Sequence, residues 1–132
     1  MLHFYESVSD DFHLPRAWHS CNNAFLPHFH ESIELLYVKG GFSSAIIDGN
    51  HLTAKPGDLV IVGSYQVHSY IEQENEAIIA TIPLAAVPSL STLLNVRTFA
   101  APIFTDRTNT LRPMLEMMAS LPDSPHALCG MG

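Results

Sequence analysis

Pro27-His28-Phe29-His30-Glu31-Ser32-Ile33-Glu34-Leu35-Leu36-Tyr37-Val38 is the stretch whose reading decides the fold. In an extended chain, side chains two residues apart share a face. His28, His30, Glu34, Leu36 and Val38 have the same parity, so an extended segment turns all five one way, with the three polar groups at one end. Two imidazoles and a carboxylate on one wall are the beginning of a metal site.

The chain on either side reads as short strands separated by turn signals. Residues 32–38 form a first strand that Gly40-Gly41 ends, and 42–47 form a second. Asp48-Gly49 is a strong hairpin signal, with residues 51–54 returning from it. Lys55-Pro56-Gly57-Asp58 is a turn, because proline fixes φ and glycine permits positive φ. Apolar strands follow at 59–62, 67–71 and 77–82, with Glu72, Glu74 and Glu76 as a polar turn or edge between the last two. This rhythm predicts a sandwich or barrel. His68, on the strand at 67–71, is the best fourth member of the polar set. Three histidines and one carboxylate suit a divalent transition ion such as Zn, Ni, Fe or Mn, with positions left for water or ligand. By parity, Leu36, Val38, Val60 and Val62 are candidate lining of a ligand pocket, and Tyr65 stands where it could narrow the mouth.

These residues resemble the two motifs of the cupin superfamily. The first motif has two histidines one residue apart, a glutamate four further on and a downstream glycine, matched by His28, His30, Glu34 and Gly41. The second begins with a glycine and ends with a histidine, matched by Gly57 and His68. Its middle departs: the usual proline is Gly63 and the usual glycine is Tyr65, which puts the local loop shape in question. The resemblance implies an all-β double-stranded β-helix, or jelly-roll barrel, followed here by a C-terminal helix. A narrower likeness is to the N-terminal sensor domain of AraC-family transcription regulators, carried by Pro56-Gly57-Asp58-Leu59 and His68-Ser69. That likeness implies a small-molecule effector in the barrel, a homodimer, and DNA binding only through a C-terminal domain absent from this sequence. It also suggests an N-terminal arm, bearing Phe4 and Tyr5, that closes over the pocket. Sensor domains of this kind keep the motif with or without metal. Without metal, His28, His30, Glu34 and His68 would form a polar pocket floor.

Beyond the barrel, residues 83–104 are apolar but irregular, with helix around 89–96. Residues 109–120 predict a helix whose Leu111, Met114, Leu115 and Met118 form one apolar face, capped by Thr108, Asn109 or Thr110. A second helix starts at 126 and stops almost at once, so the chain reads as part of a longer one. The domain reading is an N-terminal arm over 1–17, the barrel over 18–104, and the start of a helical linker over 105–132.

Composition sets bounds. The 132 residues suit one domain, and 47% hydrophobic residues can bury a core. A net charge of −7 from six basic and thirteen acidic residues repels phosphate, so this piece should not bind nucleic acid alone. No apolar run reaches membrane-spanning length, and residues 1–11 lack the basic-then-apolar pattern of a secretory signal. Cys21 and Cys129 are far apart and read as reduced thiols, so the cytoplasm is the expected compartment. Two functions remain open: an effector-sensing, dimerising domain of an AraC-type regulator, and a small metal-dependent cupin enzyme, a dioxygenase or isomerase.

Overall fold

Two runs rich in Ile, Leu, Val and Tyr, residues 33–47 and 68–82, become the longest strands, because such side chains pack well on a pleated surface. The computed structural model describes residues 4–5, 14–22, 25–84 and 102–121. Within them the order is β1 (Phe4–Tyr5), β2 (Arg16–Cys21), β3 (Phe25–Phe29), β4 (Ile33–Ile47), β5 (Asn50–Ala54), β6 (Asp58–Val62), β7 (His68–Ile82), β8 (Ile103–Thr105) and α1 (Leu111–Ala119). The helix expected around 89–96, the one starting at 126, and Cys129 lie outside the described residues.

β4 and β7 pair antiparallel along their whole length, from Ile33 opposite Ile82 to Ile47 opposite His68. The register slips between Val38 and Gly40 and again between Phe42 and Ser44, which marks bulges that bend and twist the ribbon. Gly41 sits at the crease with φ +73°, and a Cβ there would fall 1.8 Å from the Glu74 carbonyl oxygen. Before the crease, β4 lies between β6 and β7, with β2 beyond β7 and β8 beyond β6. After it, β4 lies between β5 and β7, with β3 and then β1 beyond β7. The inward faces of both halves meet in one cluster, which joins Leu36, Val38, Val60, Val62, Ala77 and Ile79 to Ala45, Ile47, Ala54 and Tyr70. This is a jelly-roll of the cupin type.

Several expected elements merge. The strands read at 32–38 and 42–47 are one strand, because a bulge at the glycine pair bends the chain without ending it. Likewise 67–71 and 77–82 are one strand, and the acidic stretch between them is not a turn: Glu74 pairs with Phe42, and Glu76 with Gly40 and Cys21. The Asp48-Gly49 hairpin forms as read, with φ +47° and +84°. Cys21, read as a free thiol, is disulfide-bonded, so cysteine usage does not support the reducing compartment expected.

α1 covers the outer face of the first half-sheet. Leu115 is buried against Ala17, Tyr37, Leu59, Ile78 and Ala80, with Leu111, Met118 and Ala119 at its sides. Met114 is not on this face and stands 59% exposed, because the face centres on Leu115, one residue further round the helix. The cap also differs from the expectation. Thr110 occupies the N-cap position but makes no side-chain cap bond. The carboxylate of Asp106 instead accepts the backbone N–H groups of Thr110, Leu111 and Arg112 at 2.9, 3.0 and 3.3 Å. Tyr37 of β4 donates to the same carboxylate at 3.2 Å. Burial pushes the Asp106 carboxyl up, but these donors outweigh it and hold it below the usual aspartate range.

Two outcomes follow from this packing. Gly41→Ala must move backbone or β7, and is expected to lose about 3 kcal/mol or more of stability in urea unfolding. Asp106→Asn is expected to lower the melting temperature and the helical signal at neutral pH. Because the Asp106 carboxyl is depressed, its contribution is present above the normal aspartate range and lost as pH falls through it. The gap between wild type and variant should therefore close in acid, as read by circular dichroism across pH.

Candidate functional site

His28 lies near the end of β3, His30 just after it, Glu34 near the start of β4, and His68 opens β7. His28 and His68 are directly paired across β3 and β7, which sets their rings 4.2 Å apart. The chain bends at residues 31–32, so His30 is not part of a continuous strand with Glu34, yet its ring comes within 4.9 Å of that of His68. One ligand atom from each of the four residues lies within 4.8 Å of the others, and all four side chains are buried.

The loop before β7 positions two of them. Asp48 at the hairpin tip accepts the Val67 N–H at 2.9 Å and the Gln66 side-chain amide at 3.0 Å. The Tyr65 N–H donates to the His30 carbonyl at 2.8 Å, and the Ser64 hydroxyl donates to the Glu31 carbonyl. Tyr65 adopts φ +60°, the conformation that a glycine would supply at this place. Its hydroxyl bond to Glu31 at 3.0 Å and its own backbone bond help to offset that strain. These bonds tie the loop to residues 30 and 31 despite the departure from the cupin pattern.

The ring nitrogens are sorted by their partners. His30 Nδ1 lies 2.8 Å from the Ser32 carbonyl oxygen, and His68 Nδ1 lies 2.9 Å from that of Gln66. A carbonyl only accepts, so both Nδ1 atoms carry protons and both Nε2 atoms turn to the centre of the cluster. There they stand 3.4 Å from Glu34 Oε1 and 3.5 Å from Glu34 Oε2 respectively, at the long edge of hydrogen-bond range. Burial pushes the Glu34 carboxyl up, but the charge of His68, hydrogen bonding from His30 and His68, and the charge of His30 hold it well below the usual glutamate range. Carbonyl-oriented imidazoles beside a carboxylate have the character of metal ligands with their outer partners in place. Donors on a metal ion at roughly 2.0–2.2 Å can be at most about 4.4 Å apart, so small side-chain adjustments would let the set hold one.

Leu36, Val38, Val60 and Val62 are fully buried in the inner cluster, with Leu36 opposite Val60 and Glu34 opposite Val62. Tyr65 is 52% exposed and bonded to Glu31, apart from the four-residue cluster. Tyr70 escaped the sequence reading. Its hydroxyl donates to Glu34 Oε2, and its ring lies 6.1 Å from that of His68. The signal that finds it is parity, since Tyr70 stands two residues beyond His68 on β7. β1 runs beside the site as an edge strand, with Phe4 opposite His28 and Tyr5 opposite Phe29.

The family model of the AraC-like ligand binding domain matches residues 13–81, more than half of the chain. The chain belongs to this family. Among solved structures, this AraC-like domain is similar to ToxT from Vibrio cholerae, whose structure is titled as bound to an unsaturated fatty acid, at 13% identity and a TM-score of 0.54. That match covers 83% of this chain and 46% of ToxT, so the chain spans about half of that protein's length. An RmlC-like cupin from Shewanella frigidimarina matches at 20% identity and a TM-score of 0.47, over 54% of this chain and 68% of that one. KdgF from a Halomonas species matches at 21% identity and a TM-score of 0.44, over 55% and 73%. No curated protein matches the chain. Among the described residues, no helix is long and apolar enough to cross a membrane.

Glu34→Gln removes the negative member of a buried cluster and is expected to lower stability at neutral pH by roughly 3–5 kcal/mol. The depressed carboxyl contributes above the normal glutamate range and loses its effect as pH falls below it. Urea unfolding of both proteins should therefore show the difference shrinking only in acid.

Proposed function

We propose that this chain is the effector-sensing and dimerising domain of an AraC-type transcriptional regulator. The observation that carries the reading is a buried three-histidine, one-glutamate cluster at one end of an apolar barrel interior, inside the segment matched by the AraC-like family. A small effector would set a polar head against His28, His30, Glu34 and His68 and an apolar body along Leu36, Val38, Val60 and Val62. ToxT, with its bound fatty acid, makes a molecule of that two-part character a reasonable class. The four polar residues would hold a divalent transition ion, which when bound supplies a Lewis-acidic anchor for an effector oxygen.

The remaining roles follow from this reading. Residues 1–17 act as an arm, 18–104 as the barrel, and 105–132 as the start of a dimerising linker. Pro113, Met114, Met117 and Met118 of α1, with Leu121 just past its end, line an apolar surface that suits a second copy. DNA contact belongs to a separate C-terminal domain. A net charge of −7 supports assigning DNA contact elsewhere.

Thermal unfolding of the purified chain, with Zn²⁺, Ni²⁺, Mn²⁺ or Fe²⁺ and with panels of fatty acids, aromatic acids and sugars, tests the site. A true effector at a hundredfold its Kd should stabilise by roughly 2.7 kcal/mol, and His28→Ala with His68→Ala should abolish that gain. Reading the gene past codon 132 is expected to reveal two helix-turn-helix units. Steady metal-dependent turnover of a small substrate would instead favour the cupin enzyme and overturn the regulator reading.

A further inference from the structure

We propose that Tyr70 is a positioning residue of this site, fixing Glu34 so that it meets a divalent transition ion through one oxygen, Oε1. The inference rests on the reading that the cluster holds such an ion. Tyr70 lies on β7 two residues beyond His68, which puts both side chains on the inward face. It is buried, and its hydroxyl donates to Glu34 Oε2. The direction of that bond is fixed, because an ionised carboxylate only accepts and a phenol at neutral pH carries its proton.

A glutamate in an open pocket can rotate its carboxylate and offer a metal either oxygen or both. Here Oε2 is engaged by Tyr70 and also faces His68 Nε2 at 3.5 Å. Oε1 faces His30 Nε2 at 3.4 Å. Because Tyr70 occupies Oε2, Oε1, beside His30 Nε2, is the oxygen left to turn to an ion. The arrangement also completes a pattern. His30 is oriented by the Ser32 carbonyl, His68 by the Gln66 carbonyl, and Glu34 by the Tyr70 hydroxyl. His30, His68 and Glu34 thus each have an outer partner, drawn from the turn after β3, the loop before β7, and β7 itself. Partners of this kind set ligand orientation and typically matter 10- to 100-fold in metal affinity.

The test uses Tyr70→Phe, which keeps the ring and removes the donor. Calorimetric titration with Ni²⁺ and Zn²⁺ is expected to show affinity reduced about 10- to 100-fold relative to wild type, and the visible spectrum of the Co²⁺ form should change in band shape. Ile78→Val, on the outer face of the sheet, serves as a control that loosens packing while leaving metal affinity unchanged. An unchanged Kd together with an unchanged Co²⁺ spectrum in Tyr70→Phe would overturn the positioning role alone. Absence of metal binding by the wild-type chain would overturn both this role and the metal reading beneath it. The carboxylate infrared bands of Zn²⁺-loaded wild type, taken as a difference from Glu34→Gln, need no Tyr70 variant. One-oxygen coordination is expected there, and two-oxygen coordination would sink the proposal.

Discussion

The pairing of β4 with β7 is the constraint on which the rest of the molecule depends. Each strand has fifteen residues, and the two are paired from end to end. Flat, they would belong to one sheet with one inner face. The bulges around Gly41 fold the ribbon so that each strand serves both layers, and side-chain alternation restarts on either side of the crease. That is why Leu36 and Val38 from one half and Ala45 and Ile47 from the other fill the same core. It is also why His68, at one end of β7, can meet Glu34, whose partner on β7 is Thr81 near the other end. The contact between them is made through the folded barrel interior.

Inside that barrel, charge is unusual and must be compensated. A carboxylate moved out of water without partners costs several kcal/mol, and the usual response is to take up a proton. Glu34 does the reverse: burial pushes its carboxyl up, but the imidazoles of His68 and His30 hold it low. Imidazole is the side chain that adapts to this setting. With Nδ1 spent on a carbonyl, Nε2 can donate to the carboxylate when protonated or offer a lone pair when neutral. The cluster is thus a self-compensated charge network whose side chains could also serve as a ligand set. Apolar packing would be simpler if stability were the only need, so stability alone does not account for a buried network of this composition.

How much was legible in the sequence depends on the kind of interaction. Parity brought out His28, His30 and Glu34, and a place on a neighbouring strand, matched by motif spacing, added His68. The turn at residues 31–32 means that parity alone did not guarantee the outcome, and the loop from 63 to 67 restores the geometry by bonding back to the chain at 30 and 31. Tyr70 was within reach of the same parity argument, yet tyrosine is an ordinary core residue and only its partner distinguishes it. Asp106 was hidden for a different reason. Capping rules look to the residue at the helix start, whereas this carboxylate reaches the first N–H groups from four to six positions upstream. The continuity of β7 through three glutamates was obscured because polar residues at a bent sheet edge look like a turn in one dimension.

β4 also joins the inside to the outside. Glu34, Leu36 and Val38 face the barrel, while Leu35 and Tyr37 between them face the helix. Tyr37 reaches Asp106, which in turn holds the first turn of α1. At the far side of that contact, Glu116 meets His19 of β2 and Lys39 of β4 at 3.4 and 3.5 Å, contacts too exposed to add much individually. The buried Asp106 contact is therefore the tighter coupling. A ligand that changes the conformation of β4 acts on a strand bonded on its other face to the helix N-terminus. Such a ligand can shift α1 only by the difference in its affinity for two β4 arrangements. Because β4 is closely packed on both faces, those arrangements must differ in discrete side-chain packing and not by smooth deformation.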